Sequence, residues 1–110
     1  MRTNKPVGND RGGSYDLTLA AEEDLRGIWT YTFRTWGFDQ AEAYFDKIEN
    51  CCEAVGSRQA RSKTLDGLPD GVCIHRCEHH YIFWLDDPRP VIIAILHERM
   101  DFVRRLKGRL

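Results

Sequence analysis

The stretch "HRCEHHYIFWL", residues 75–85, concentrates side chains that bind metals or transfer protons, because three histidines, a cysteine and a glutamate lie among aromatic residues. In an extended strand His75, Cys77 and His79 share one face at steps of about 7 Å, whereas His80 faces the other way. A structural zinc site usually takes its ligands as two close pairs. Cys73 and Cys77 lie about 13 Å apart along a strand, too far for one such pair. The spacing does not favour a metal site, and we expect no metal or other cofactor.

A cysteine nucleophile is a second chemical use of the same stretch. It requires a thiolate with a lowered pKa, a base within hydrogen-bond reach and an oxyanion hole. The pattern assigns none of these to particular residues. Residues 81–85, "YIFWL", are instead apolar at consecutive positions, which predicts a central strand with both faces covered. We therefore expect no catalytic residues here, and Cys52, Cys73 and Cys77 are predicted to be small apolar residues of a core.

The length and composition indicate one soluble globular domain. The chain has 110 residues, of which 42% are apolar and 30% charged. Its longest aliphatic run, "VIIAIL", is too short to span a membrane, and the N-terminus lacks the apolar segment of a secretion signal. We therefore expect a cytoplasmic protein without a membrane partner, whose four cysteines are reduced thiols. Residues 1–14 are polar and aperiodic and are predicted to form a flexible arm, with a single domain over residues 15–110.

Two helices are predicted after a short strand at residues 15–19. Thr18 is placed to cap the first helix, and Gly37 in "TWGFDQ" to end it. Asp39 and Glu42 have the spacing of a capping box, which predicts that the second helix opens at Asp39 after a connection of about four residues. Gly56 is expected to end that helix. Apolar residues recur at helical spacing in both segments, which predicts an antiparallel helical hairpin.

Three strands are predicted in the second half of the chain: "VCIHRC", "HHYIFWL" and "PVIIAILH". The turn "DDPR" between the last two is typical of hairpin-linked strands, which pair in antiparallel fashion. The order of strand, two helices and three strands predicts an α+β fold, with the helical hairpin packed on a small antiparallel β-sheet.

The charge is unevenly distributed. Residues 16–50 carry a local charge of −5 and residues 97–110 one of +3, although the whole chain is at −1. One interpretation of the basic tail is a solvated C-terminal turn or helix. The other is a basic, partly apolar arm that docks on nucleic acid or on an enzyme that binds nucleic acid. The residues of this tail that we expect to bind a target are Arg99, Arg104, Arg105, Lys107 and Arg109.

The order of these segments resembles the ParE-type toxins of the RelE/ParE superfamily. The resemblance lies in "YDLTLAAEEDLRGIWTYTFRTWGFDQAEAYFDKIE", with its pattern "A..DL..I..Y....WG..QA..Y", and in "HRCEHHYIFWL" followed by "VIIAILHERMD" and "RL". It spans about residues 15–106. It implies the toxin of a bacterial type II toxin–antitoxin pair with the fold predicted above.

The superfamily divides into two activities. The resemblance implies that ParE-like members inhibit DNA gyrase by binding, whereas RelE-like members cleave messenger RNA on the ribosome. RelE-like toxins place an arginine in the middle of the strand that corresponds to "EHHYIFW", where it stabilises charge at the scissile phosphate. Here Tyr81 or Ile82 occupies that position, which favours the non-enzymatic gyrase inhibitor. If the chain is a nuclease, its catalytic groups are expected among Arg76, Tyr81, His97 and Arg99.

The resemblance also implies a cognate antitoxin, partly disordered, that forms a hetero-oligomer with the toxin. Such a partner docks a helix in an apolar groove or adds a strand to a sheet edge. The apolar outer face of the predicted sheet suits this coverage, since an uncovered patch favours aggregation. Trp36, beside Gly37, is as compatible with local packing as with a partner contact. The residues expected to bind the antitoxin are Trp36, Tyr44, Trp84, Ile93 and Ile95.

Overall fold

The computed structural model describes residues 14–63 and 67–110, so the predicted arm lies outside the described residues except for Ser14. Two helices pack on one face of a four-stranded sheet whose strand order is β1-β4-β3-β2. The elements are β1 (Asp16–Leu17), α1 (Leu19–Trp36), α2 (Phe38–Gly56), β2 (Val72–Cys77), β3 (His80–Leu85), β4 (Val91–His97) and α3 (Phe102–Leu106). The predicted α+β architecture is confirmed.

The helical hairpin turns within a single residue. Thr18 caps α1 as predicted, because its Oγ1 accepts a hydrogen bond of 3.1 Å from the Ala21 amide. Gly37, at φ +96°, donates its amide to the Phe33 carbonyl and accepts from the Ala41 amide, so it closes one helix and opens the next. The predicted four-residue connection and capping box are therefore wrong: α2 begins at Phe38, and no side chain caps it. Only glycine adopts this backbone conformation without strain, which makes so tight a reversal possible.

Strands β2, β3 and β4 pair in antiparallel fashion, as predicted. β1 differs, because it lies parallel to β4, with Asp16 opposite Val91 and Leu17 opposite Ile92. After β1 the chain passes through both helices and through β2 and β3 before it forms β4 beside β1. β3 lies between β2 and β4, so residues 81–85 are central in the sheet, as their consecutive apolar residues predicted.

Both faces of the sheet are covered by the chain itself. Helices α1 and α2 cover one face, and the short helix α3 covers the other, where Leu106 is 2% exposed and Phe102 lies 5.1 Å from the Phe83 ring. The sequence predicted that a partner would cover the outer face. The protein's own chain provides that cover instead, because Phe102 and Leu106 of α3 pack on this face together with Leu68, while Val103, Arg104 and Arg105 are exposed.

A disulfide joins Cys51 of α2 to Cys77 at the end of β2, with a Cα–Cα distance of 6.2 Å. The expectation of four reduced thiols is therefore wrong in this structure. The two residues are 26 positions apart in sequence, and only the packing of α2 beside β2 brings them within the distance that a disulfide requires. Cys52 points into the core, as predicted, and burial raises the pKa of its thiol to about 12. Cys73 is half-buried.

None of the helices in residues 14–63 and 67–110 is both long enough and apolar enough to cross a membrane.

Candidate functional site

The C-terminal basic segment, residues 99–109, is an anchored element. Asp101 caps α3 by accepting a 3.2 Å hydrogen bond from the Arg104 amide. Phe102 and Leu106 then fix this short helix to the sheet. The cations predicted to bind a target that remain exposed on this segment are Arg99, Arg104, Arg105 and Lys107. The segment therefore presents charge from a defined surface of the fold.

Arg109 lies apart from the other predicted target-binding residues because it is engaged inside the molecule. Its Nη1 and Nη2 donate to the two carboxylate oxygens of Asp24, at 2.8 Å and 3.2 Å, and Nη1 also donates to the Ile93 carbonyl at 2.9 Å. The Arg109 and Asp24 side chains are only 19% and 17% exposed. The hydrogen bonds with Asp24 raise the pKa of Arg109 further above its ordinary value. Arg109 therefore anchors the chain end and is not placed to contact a target.

The Asp24–Arg109 pair also completes the backbone hydrogen bonding of β4. Strand β1 ends at Leu17, opposite Ile92, so the outer edge of β4 has no strand neighbour in the described sheet beyond that point. The Ile95 amide donates to Asp24 at 2.9 Å, while the Ile93 carbonyl accepts from Arg109. A pairing across 85 residues has no local signal in the sequence.

A second group of polar side chains gathers where β2 turns into β3 and β4 ends. We call it the polar cluster: Tyr44, Arg76, His79, His80 and Glu98. The Tyr44 hydroxyl lies 2.7 Å from Nδ1 of His80 and accepts from the His79 amide at 3.1 Å. The Glu98 carboxylate binds Arg76 at 2.6 Å and His79 at 3.1 Å. The cluster thus connects α2 to the β2–β3 turn and to the end of β4.

The ionisation of the polar cluster follows from these contacts. Burial, reinforced by the neighbouring His97 and His79, lowers the pKa of His80 to about 4, so its ring is neutral at neutral pH. Burial likewise raises the pKa of Tyr44. The hydrogen bond from His79, together with the nearby Arg76, lowers the pKa of Glu98. The cluster therefore holds a neutral imidazole and a carboxylate that is already paired with the Arg76 guanidinium.

The residues named as the alternative nuclease set lie near this cluster. Arg76 donates to the Tyr81 hydroxyl at 3.3 Å, and the Arg99 amide donates to Nδ1 of His97 at 3.1 Å. No local pattern in the sequence indicates that the Glu98 carboxylate pairs with the guanidinium of Arg76. Within residues 14–63 and 67–110, no group of three or more histidine, cysteine, aspartate or glutamate side chains is arranged to hold a metal ion.

The tip of the helical hairpin presents aromatic side chains to solvent. We call Phe33, Trp36 and Phe38 the hairpin patch. Phe33 stacks on Trp29 at 5.2 Å, and Phe38 meets the same indole edge-on at 6.2 Å. Trp36 is 66% exposed. A local plug would be buried, so Trp36 is available for contact with another molecule.

The other residues predicted to bind the antitoxin are less accessible. Trp84 and Ile95 belong to the core beneath the helices, and Ile93 lies on the opposite face beneath α3. Their residual exposure is 4% or less. Because they are packed inside the chain, they stabilise its core and do not form a surface. Tyr44 is half-buried, with its hydroxyl engaged in the polar cluster.

Comparison with known proteins shows the family. Residues 15–102 match the family described as "ParE toxin of type II toxin-antitoxin system, parDE". The chain belongs to the ParE toxin family. It is 43% identical over 101 residues to Toxin ParE of Escherichia coli, an alignment that covers 88% of this chain and 96% of the relative. It is 30% identical over 89 residues to Toxin ParE1 of Caulobacter vibrioides, covering 79% and 91%.

The fold is shared with a solved structure of the "Chromosomal ParDE TA system from P. aeruginosa", with a TM-score of 0.65. That likeness covers 76% of this chain and 96% of the other at 16% sequence identity, so it concerns the fold alone. The family match ends at residue 102, at the start of α3. The exposed cations of this ParE-family toxin at positions 104, 105 and 107 therefore follow the matched region.

Proposed function

We propose that this ParE-family toxin acts in the cytoplasm as a binding inhibitor of DNA gyrase that stabilises the DNA-cleaved state of the enzyme. The observation that carries the proposal is the exposed basic segment on and beside the anchored helix α3: Arg99, Arg104, Arg105 and Lys107. A fixed cluster of cations attracts a polyanionic surface such as DNA held by gyrase, and its preorganisation limits the entropy lost on binding.

A binding mechanism is supported by the state of the polar cluster. General acid–base catalysis works best with groups whose pKa lies near the working pH. His80 has a pKa of about 4, and that of Tyr44 is raised from an already high value. Arg76, the strand cation best suited to stabilise a phosphate, is paired with Glu98. At the mid-strand position where RNA-cleaving members carry arginine, Ile82 is buried and Tyr81 packs against Phe102.

The gyrase proposal is tested by titrating antitoxin-free toxin into a supercoiling reaction and measuring supercoiled and linear DNA. We expect loss of supercoiled product and accumulation of cleaved DNA. The double variant Arg104→Ala, Arg105→Ala should inhibit at least tenfold less well. The matched control is Arg26→Ala, Arg34→Ala, which removes the same charge from exposed positions of α1 and should inhibit like the wild type.

Two results would contradict this proposal. Equal inhibition by the two double variants would remove the basic segment from the mechanism. Undisturbed supercoiling, together with translation-dependent cleavage of messenger RNA in a parallel extract, would establish the nuclease. In that case Arg76→Ala would be expected to abolish cleavage.

We further propose that a cognate antitoxin neutralises the toxin by docking on the hairpin patch and beside Tyr44. Exposed aromatic side chains on a rigid hairpin are typical anchors of protein interfaces. Trp36→Ala should weaken antitoxin binding at least tenfold by calorimetry. Tyr31→Ala is the control, because Tyr31 is equally exposed and two positions from Phe33 on α1, so it points away from the patch. Equal affinity of Trp36→Ala and wild type would disprove this docking site.

A further inference from the structure

The disulfide between Cys51 and Cys77 joins helix α2 to strand β2 of the sheet. Cys51 lies on α2, and Cys77 ends β2, which is one of the two edge strands of the described sheet. Polar contacts between α2 and this end of the sheet include those of Tyr44 with His79 and His80, and of Lys47 with Glu78 at 4.0 Å. The disulfide is therefore the covalent component of the attachment of α2 to the edge of the sheet.

The two cysteine residues of the disulfide differ in their exposure to solvent. Cys51 is half-buried, whereas Cys77 is 2% exposed. An external thiolate therefore approaches the disulfide from the side of the more exposed Cys51, with Cys77 as the leaving group. Access and the identity of the attacked sulfur control the rate of thiol–disulfide exchange.

The structure accommodates the reduced state as well as the oxidised one. The Cys77 sulfur lies 3.5 Å from the Lys47 carbonyl oxygen. In the disulfide this sulfur has no proton to donate, but a released Cys77 thiol finds its acceptor already in place. A buried polar group with a partner costs little, so opening the disulfide leaves no unsatisfied group at this position.

The free thiols of the described residues are poor competitors for the disulfide. Cys52 follows Cys51 on the helix but points into the core, and burial raises the pKa of its thiol to about 12. Burial also raises the pKa of Cys73, which lies about 13 Å along the strand from Cys77. Few thiolates form at either position, so the disulfide exchanges with external thiols in preference to rearranging within the chain.

We propose that Cys51 and Cys77 form a redox-sensitive clasp, which an external dithiol of the thioredoxin class opens, so that α2 and the edge strand β2 are no longer covalently joined. One thiolate of the dithiol attacks the sulfur of Cys51, the Cys51–Cys77 bond breaks, and Cys77 leaves as a thiolate that takes a proton from solvent. The second thiol of the reductant then resolves the mixed disulfide and frees Cys51. Two electrons and two protons pass to the protein, and the dithiol becomes a disulfide. This inference does not depend on the gyrase target.

The test equilibrates the purified chain in glutathione buffers of increasing reduced-to-oxidised ratio, followed by acid quenching and alkylation under denaturing conditions. Mass spectrometry should show two alkylated cysteines in oxidising buffer and four in reducing buffer, with Cys51 and Cys77 as the pair that changes. Urea unfolding should show a midpoint lower by roughly 1–3 M in the reduced form, as the loss of a cross-link across this loop predicts.

Cys73→Ser is the matched control and should keep the redox-dependent midpoint, whereas Cys51→Ser should lose it. Cys51 is half-buried, so its serine variant is expected to fold, and the alkylation map of the wild type needs no variant at all. Four alkylated cysteines at every glutathione ratio would overturn the proposal. An equal midpoint shift in Cys51→Ser and wild type would overturn it as well.

Discussion

Replacing Arg109 by alanine should destabilise the toxin by about 2–3 kcal/mol. Breaking a buried ion pair by removing one partner costs about 3–5 kcal/mol, because the other charge stays buried without compensation. We expect a smaller loss of stability here because nearly a fifth of the Arg109 side chain and of the Asp24 side chain still reaches water. The Ile93 carbonyl loses its donor in the same variant.

Thermal unfolding followed by circular dichroism measures this effect. About 1 kcal/mol shifts the midpoint of a domain of this size by roughly 4–8 °C, so Arg109→Ala should melt at least 8 °C below the wild type. Arg104→Ala is the matched control. Its side chain is exposed, and we expect a change within about 0.5 kcal/mol.

A double-mutant cycle with Asp24→Asn isolates the pair itself. Asparagine keeps an oxygen acceptor for the Ile95 amide and removes only the charge. The loss of unfolding free energy in the variant with both substitutions should therefore be smaller than the sum of the two single losses, by at least about 1 kcal/mol. Additive effects, or an unchanged melting temperature in Arg109→Ala, would refute the anchoring role and restore Arg109 as a candidate target contact.

Acidification should destabilise the fold through His80, because the pKa of its ring is about 4 in the folded chain and 6.5 in the unfolded chain. The stability that neutral His80 contributes is intact above pH 6.5 and is lost as the pH falls towards 4. After allowance for its partial exposure the loss is about 1–2 kcal/mol, and urea midpoints across this range should flatten in His80→Gln. Gly27→Ala should stabilise α1 by about 0.5–1 kcal/mol in chemical unfolding, because the added methyl group meets nothing within 4 Å. Gly37→Ala should instead destabilise by about 1–3 kcal/mol, since the φ of +96° strains any other residue, and equal midpoints for the two alanine variants would contradict the role of Gly37 in the reversal. Thr18→Ala should cost about 1 kcal/mol, with Thr18→Ser close to the wild type, because only the serine keeps an oxygen to accept from the Ala21 amide.

The elements of this fold were predictable from local patterns. The helical spacing, the cap at Thr18 and the turn at "DDPR" each depend on residues within a few positions of the structure that they predict. The same is true of the central strand, because its consecutive apolar residues report coverage on both faces. The reversal at Gly37 was missed in detail, since the capping-box spacing of Asp39 and Glu42 competed with the conformational freedom of one glycine.

The site was less predictable because its decisive contacts are long-range. The tail sequence shows five cations but not that Asp24 binds one of them, which separates Arg109 from the others. Likewise, Cys51 and Cys77 form no recognisable pair until α2 packs beside β2. Trp84 is buried because α1 and α2 cover one face of the sheet, and Ile93 is buried on the other face, beneath α3. The sequence suggested that a partner would cover this second face.

The parallel pairing of β1 with β4 determines when this fold can form during synthesis. β1 and Asp24 are synthesised before their partners in β4 and at Arg109. At about 5–20 residues per second, the 85 residues between Asp24 and Arg109 take roughly 4–17 s to add. The α1–α2 hairpin depends on local contacts and forms within that interval, with its apolar face still lacking a sheet. The sheet therefore assembles only after β4 has been made, and a product that stops before β4 carries the hairpin patch without an assembled sheet behind it.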